Sequence, residues 1–136
     1  MKKALSGVQI KSIMSKHVVS VSPNLNIKEL VDDYFFKYRH ASFPVVEDDA
    51  VKGLVTLHDV KHIHKDKWET THTKEIMRPI EEGITIKEEA DAINALGQMA
   101  NQNTGRLLVI KDDHLVGIVS QRDITRLFEF KEDLDN

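Results

Sequence analysis

A chain of 136 residues, 40 % of them apolar, is long enough to bury one ordinary core or two small ones and is read as globular. Its 19 basic and 22 acidic side chains leave a net charge of −3 with both signs scattered, so no basic stripe offers itself to nucleic acid or anionic lipid. Cysteine is absent, which removes disulfides and thiolate metal sites, and no apolar run approaches the ~18 residues of a membrane helix, so no direct membrane insertion is expected.

The amino-terminal MKKALSGVQIKSIM carries two lysines but is interrupted at Gln9 and Lys11, short of a signal peptide, which makes the cytoplasm the default location. Residues 18–21 read as a short strand. Asn26, with Glu29 three residues on, is a capping-box start for an amphipathic helix through Tyr38. Residues 43–46 form a second strand, the acidic 47–50 a turn, and 51–55 a third strand, after which Thr56 opens a helix toward His64. KHIHKDKWETTHTKEIM is polar and lacks apolar periodicity, and is read as helix end plus linker, with Trp68 docking on a unit and pinning the connection. There follow a strand near 84–86, a helix from about Glu89 to Asn101, strands at 107–110 and 115–119 around a turn at 111–114, and a helix to Phe130.

The second half of this series restates the first. Aligning Gly53 with Gly117 fixes an offset of 64 that carries Val45 onto Val109, Val55 onto Val119 and Asp59 onto Asp123. With one-residue slips, Ile13-Met14 falls on Ile76-Met77 and Val19-Ser20-Val21 on Ile84-Thr85-Ile86. The expected fold class is therefore α+β, with two β-α-β-β-α repeats packed with pseudo-twofold symmetry, since each repeat alone is too small to bury its apolar face. The repeats are placed at 8–66 and 76–130, with a linker at 67–75 and a polar tail at 131–136.

The paired segments GLVTLHDV and GIVSQRDI, the stretch Phe43-Pro44-Val45-Val46 and the Ile-Met lead-in to each repeat resemble the tandem CBS domain pair, or Bateman module, named after cystathionine β-synthase. The resemblance covers residues 8–130. ALSGVQIKSIM, VDDYFFKYRHASFPVVEDD and DKWETTHTKEIM are further similar to the carboxy-terminal CBS pair of site-2 protease (M50) intramembrane metalloproteases. H-E-x-x-H and membrane helices are absent, so the resemblance implies the cytosolic regulatory portion of such a protein or a free-standing relative, with a membrane-embedded protease domain as its partner. It also implies an adenosine ligand (AMP, ADP, ATP or S-adenosylmethionine), with Asp on ribose, Ser/Thr on ribose or phosphate, and adenine between the repeats.

Taken singly, Thr56-Leu57-His58-Asp59 and Ser120-Gln121-Arg122-Asp123 are explained as capping boxes. That explanation asks neither for Asp over Glu nor for a glycine three residues before each hydroxyl. As a ligand site, the strand-to-helix junction suits phosphate, Thr56 or Ser120 donates a hydroxyl, Asp59 or Asp123 accepts ribose hydroxyls, and the strand edges around Val19, Ser20 and Ile84 flank adenine. The second repeat adds Arg106 and Arg122 where the first has Ser42 and His58, and an arginine fork suits phosphate better, so the second site is expected to bind phosphorylated adenosine more tightly. Solvated surface arginines are the plain alternative.

HDVKH at 58–62 imitates a zinc-protease motif with Asp for Glu and is read as a solvated helix face, with no metal site assigned. No nucleophile and base pair up, so a regulatory domain that requires no cofactor is expected rather than an enzyme. A homodimer through the helices that carry Ile63, Leu127 and Phe128 is also expected, and the rival function is a structural dimerisation module without ligand.

Overall fold

In the computed structural model, which describes residues 7–135, Asn26 opens the first helix as its sequence implies. Its Oδ1 accepts the Glu29 N–H at 2.8 Å while its own N–H donates to Glu29 Oε1 at 3.2 Å, which satisfies two otherwise orphaned donors. The helix runs as α1 (Ile27–Leu30), one π turn (Val31–Phe35) and α2 (Phe36–Tyr38), and stops at Arg39 with φ of 57°. Ile27, Leu30 and Phe35 point into the core. Strands β1 (Ser42–Glu47) and β2 (Ala50–Thr56) form an antiparallel hairpin turned at Asp48 and Asp49, both at positive φ, the geometry that matches strand twist. Then come α3 (Leu57–Lys61), α4 (Thr73–Ile76) and β3 (Arg78–Pro79), the last pairing with β2 to give the sheet order β1-β2-β3. Trp68 packs on this core and donates its indole N–H to the Ile63 carbonyl at 2.9 Å.

The second sheet repeats the hairpin but takes its third strand on the first hairpin strand instead of the second. β4 (Thr85–Ile86) lies parallel to β5 (Arg106–Lys111), which pairs antiparallel with β6 (His114–Ser120) through a turn at Asp112 and Asp113, again both at positive φ. Helix α5 (Ala92–Gln102) stops at Asn103 with φ of 51°, and α6 (Gln121–Asp135) follows β6. Both hairpins carry a register shift at the corresponding place, Val45/Val46 and Val109/Ile110. Ile10, Ile86, Leu107, Val109, Val119 and Ile124 are among the residues of this core.

The compact units are not the sequence repeats. One comprises Val19–Ile80, and the other joins residues 7–18 to residues 81–135. In the latter, Ile10 N–H donates to the Ala90 carbonyl and Ala92 N–H to the Val8 carbonyl, while Ser15 exchanges backbone bonds of 2.8 and 3.0 Å with Ile118 of β6. The former mirrors this: Ile27 N–H donates to the Thr71 carbonyl, Thr73 N–H to the Leu25 carbonyl, and Arg78 pairs with Leu54 of β2. Each Ile-Met lead-in thus completes the unit built mainly from the other repeat. The motif glycines make room for it. A Cβ on Gly117 would lie 2.7 Å from Met14 Sδ and 2.9 Å from the Ser15 carbonyl oxygen, and one on Gly53 would overlap the Arg78 carbonyl oxygen.

Several bounds differ from expectation. The strand expected at 18–21 reduces to a parallel bridge between Val21 and Val45, because only Val21 exchanges bonds with β1. Helix α5 begins at Ala92, not Glu89, since the Glu88 and Ala90 carbonyls serve Lys11 and Ile10. Helix α3 ends at Lys61, short of His64. The segment 67–75, expected as linker, is bonded to the start of α1 and contains the start of α4. The tail 131–136 is helical through Asp135, with good helix formers and no Gly or Pro to stop it. Leu127 and Phe128, expected at a dimer contact, pack against the core of their own unit. Residues 1–6, which hold the amino-terminal lysine pair and the first residues of ALSGVQIKSIM, and Asn136 lie outside the described residues.

Candidate functional site

In the Val19–Ile80 unit, β2 delivers Thr56 to the N-cap of α3. Thr56 Oγ1 accepts the Asp59 N–H at 3.1 Å and donates to Asp59 Oδ2 at 2.8 Å, so the hydroxyl orients the carboxylate. Arg78 Nε lies 3.4 Å from that same Oδ2, with each side chain 20 % exposed. His58 is exposed, and its Nε2 lies 3.2 Å from Nε2 of His62, one turn on. Val19 packs half-buried on the core, Ser20 is exposed, and Ser42 stands opposite Thr56 across the hairpin, buried.

The other unit makes a different junction from the same motif. Asp123 N–H donates to Ser120 Oγ at 3.1 Å, and Ser120 N–H donates to Asp123 Oδ2 at 3.3 Å, a reciprocal capping box. Arg106 is the first residue of β5 and faces Ser120 in register. Burial holds its guanidinium below the ordinary arginine value, while Asp123 pulls the value up and Arg122 pushes it down. Arg122 itself is exposed. Ile84 gives its carbonyl to the Leu108 N–H at 2.8 Å, but its side chain is only 1 % exposed.

The fold brings together Thr56 with Asp59, and Arg106 with Ser120, Arg122 and Asp123. It also supplies one residue that sequence comparison missed. Matching positions at a fixed offset left the first repeat without a cation, whereas Arg78 reaches Asp59 from the lead-in of the second repeat. Its signal was its place directly after Ile76-Met77, where the first lead-in has Ser15. Among the described residues, no three histidine, aspartate or glutamate side chains are grouped to hold a metal ion, and no helix is long and apolar enough to cross a membrane.

Comparison with known proteins places this geometry. The chain is similar to zinc metalloprotease MJ0392 of Methanocaldococcus jannaschii, 30 % identical over 130 residues that cover 93 % of this chain and 35 % of that protein. It is similar to the inosine-5'-monophosphate dehydrogenase of the same organism, 31 % identical over 116 residues covering 84 % of this chain and 22 % of the enzyme. The chain thus spans about a third or less of the length of these relatives. Among solved structures, the CBS domain of the bacterial CNNM/CorC family Mg2+ transporter in complex with ATP superposes with a TM-score of 0.82 at 16 % identity, covering 93 % of this chain and 91 % of that one. The CBS domain pair of protein MJ0100, in complex with 5'-methylthioadenosine and S-adenosyl-L-methionine, gives 0.79 at 26 % identity, covering 91 % and 98 %. The sequence profile of the CBS domain matches residues 10–65 and again 74–129, so this chain, with its two three-stranded sheets and paired strand-to-helix motifs, belongs to the CBS domain family.

Proposed function

We propose that the chain is a regulatory module that binds an adenosine ligand, AMP, ADP, ATP or S-adenosylmethionine, and performs no catalysis itself. The observation that carries this reading is the hydroxyl and carboxylate pair held at the end of β2 and again at the end of β6, with Arg78 beside the Asp59 carboxylate and Arg106 in register with Ser120. A carboxylate can accept ribose hydroxyls, and an arginine fork suits a phosphate or a carboxylate. The CBS pair of MJ0100, with its bound 5'-methylthioadenosine and S-adenosyl-L-methionine, supports the ligand class. Asp59 and Asp123 take the ribose, Thr56 and Ser120 the ribose or phosphate, and Arg106 and Arg122 the phosphate, with His58, Val19 and Ser20 at the rim. Similarity to MJ0392 supports a membrane-embedded zinc metalloprotease, attached or separate, as the regulated partner, with this module in the cytoplasm. Regulation then rests on the ligand's different affinity for two conformations of the module. Native mass spectrometry of freshly purified protein, followed by calorimetric titration of AMP, ATP and S-adenosylmethionine, is expected to reveal a bound adenosine compound. A folded protein that gives no bound mass and no heat with any of the three would remove this reading.

A second reading, a dimerisation module in which the motifs serve only as caps, is favoured by the reciprocal capping box at Ser120 and Asp123 and by exposed apolar side chains. Phe36 is 75 % and Leu134 71 % exposed, with Phe130 and Leu57 also accessible. Sedimentation at micromolar concentration, with and without AMP, separates the two: a homodimer indifferent to every adenosine ligand supports the purely structural role.

A further inference from the structure

HDVKH reads in the sequence as a solvated helix face, yet α3 turns its two histidines toward each other. His58 lies in the first turn of α3 and His62 is its C-cap, so a spacing of four brings both side chains to one face. Their Nε2 atoms stand 3.2 Å apart, with the ring centroids 4.7 Å apart and the planes at 82°. Both residues are exposed, so water can offer each nitrogen the bond it makes to the other, and the contact itself adds little to stability. Nor does a motif helix require it. The matching positions of the second repeat are Arg122 and Arg126, both exposed, and α6 forms there with two like charges instead.

We infer that His58 and His62 form a binding site for one divalent transition-metal ion, zinc, nickel or copper, an inference independent of the adenosine-ligand reading. Metal–imidazole bonds of about 2.0–2.1 Å put two nitrogens about 2.9 Å apart at a right angle and about 3.4 Å apart at the tetrahedral angle, and the observed 3.2 Å lies between the two. Imidazole nitrogen suits these three ions, whereas magnesium and calcium take oxygen. In the hydrogen-bonded pair one Nε2 carries the proton that the other accepts. The ion needs both lone pairs, so that proton moves to Nδ1 of its own ring, and both imidazoles bind neutral. Among the described residues no third histidine, aspartate or glutamate joins the pair, which leaves the remaining coordination positions to water and makes the site an open one. Its place gives the ion a mechanical effect. It ties the start of the short helix α3 to its C-cap, directly next to Asp59 in the chain.

The test uses the full chain, freed of metal by a chelator, with Cu2+, Ni2+ and Zn2+ as probes. Calorimetry is expected to show one ion bound per chain, and His58→Ala or His62→Ala is expected to weaken binding at least about tenfold, because a single imidazole is a monodentate surface ligand. His64→Ala removes an exposed histidine outside the pair and is expected to leave the affinity within about twofold. Electron paramagnetic resonance of the Cu2+ complex reads the geometry directly, with two nitrogen donors expected in the unsubstituted chain and one in either alanine variant of the pair. That first spectrum decides the matter if a variant unfolds. Binding no tighter than that of a chain carrying both His58→Ala and His62→Ala, a copper spectrum with a single nitrogen, or an equal loss in His64→Ala would each overturn the inference.

Discussion

The two strand-to-helix junctions start from nearly the same eight residues and settle into different electrostatics. At the second, hydroxyl and carboxylate cap each other's backbone, and the arginines lie on the same repeat. At the first, the carboxylate turns to the Thr56 hydroxyl and to an arginine brought from the far lead-in. A repeated motif thus fixes the local turn but not the charge partner, which depends on what the exchanged segment carries.

The comparison can be broken most severely by cutting the chain. A fragment of residues 19–80 retains all three strands of its sheet and is expected to melt cooperatively by circular dichroism, whereas 8–66, the sequence repeat, lacks β3 and Trp68 and is expected to stay unfolded. Cooperative melting of 8–66 alone would show the exchange to be dispensable. Next come the glycines. Gly53→Ala meets a backbone carbonyl and is expected to cost about 2–3 kcal/mol in chemical denaturation, against about 1 kcal/mol for Gly117→Ala, where a flexible Met14 side chain takes part of the clash. A smaller contrast is expected at the carboxylates. Without ligand, Asp59→Ala removes a partly buried ion pair and a cap contact and should cost about 2 kcal/mol, while Asp123→Ala loses a cap worth about 1 kcal/mol. Equal costs would mean that the Arg78 contact contributes nothing. The smallest difference lies at the first helix of each repeat: Asn26→Ala should cost about 1 kcal/mol, and Asp91→Ala, whose side chain makes no cap bond, about 0.3 kcal/mol or less.

What could be read from the sequence was what neighbours in the chain decide. The capping box at Asn26, the acidic hairpin turn and the twofold order of elements involve residues a few positions apart, and all are present. Both motif glycines stood out in the sequence without a reason. Their reason is a contact with residues about twenty-five or about a hundred positions away, Gly53 with Met77 and Arg78, and Gly117 with Met14 and Ser15. Periodicity carries no information about such distances. Arg78 was missed on the same ground, because a fixed offset compares each repeat with its twin and never with the segment that completes it.

The exchange of lead-ins also sets an order in time. One unit, Val19–Ile80, is nested inside the other, whose first segment leaves the ribosome before it and whose sheet leaves after. The inner unit can close as soon as residue 80 has emerged, while Ile13 to Ser15 wait for a partner strand that ends a hundred residues later. During that interval the early segment is an unmated strand looking for the edge beside Ile118, and the same edge on a neighbouring nascent chain would suit it equally well. Swapped assemblies made during synthesis, rather than misfolding of either core, are the hazard this topology carries.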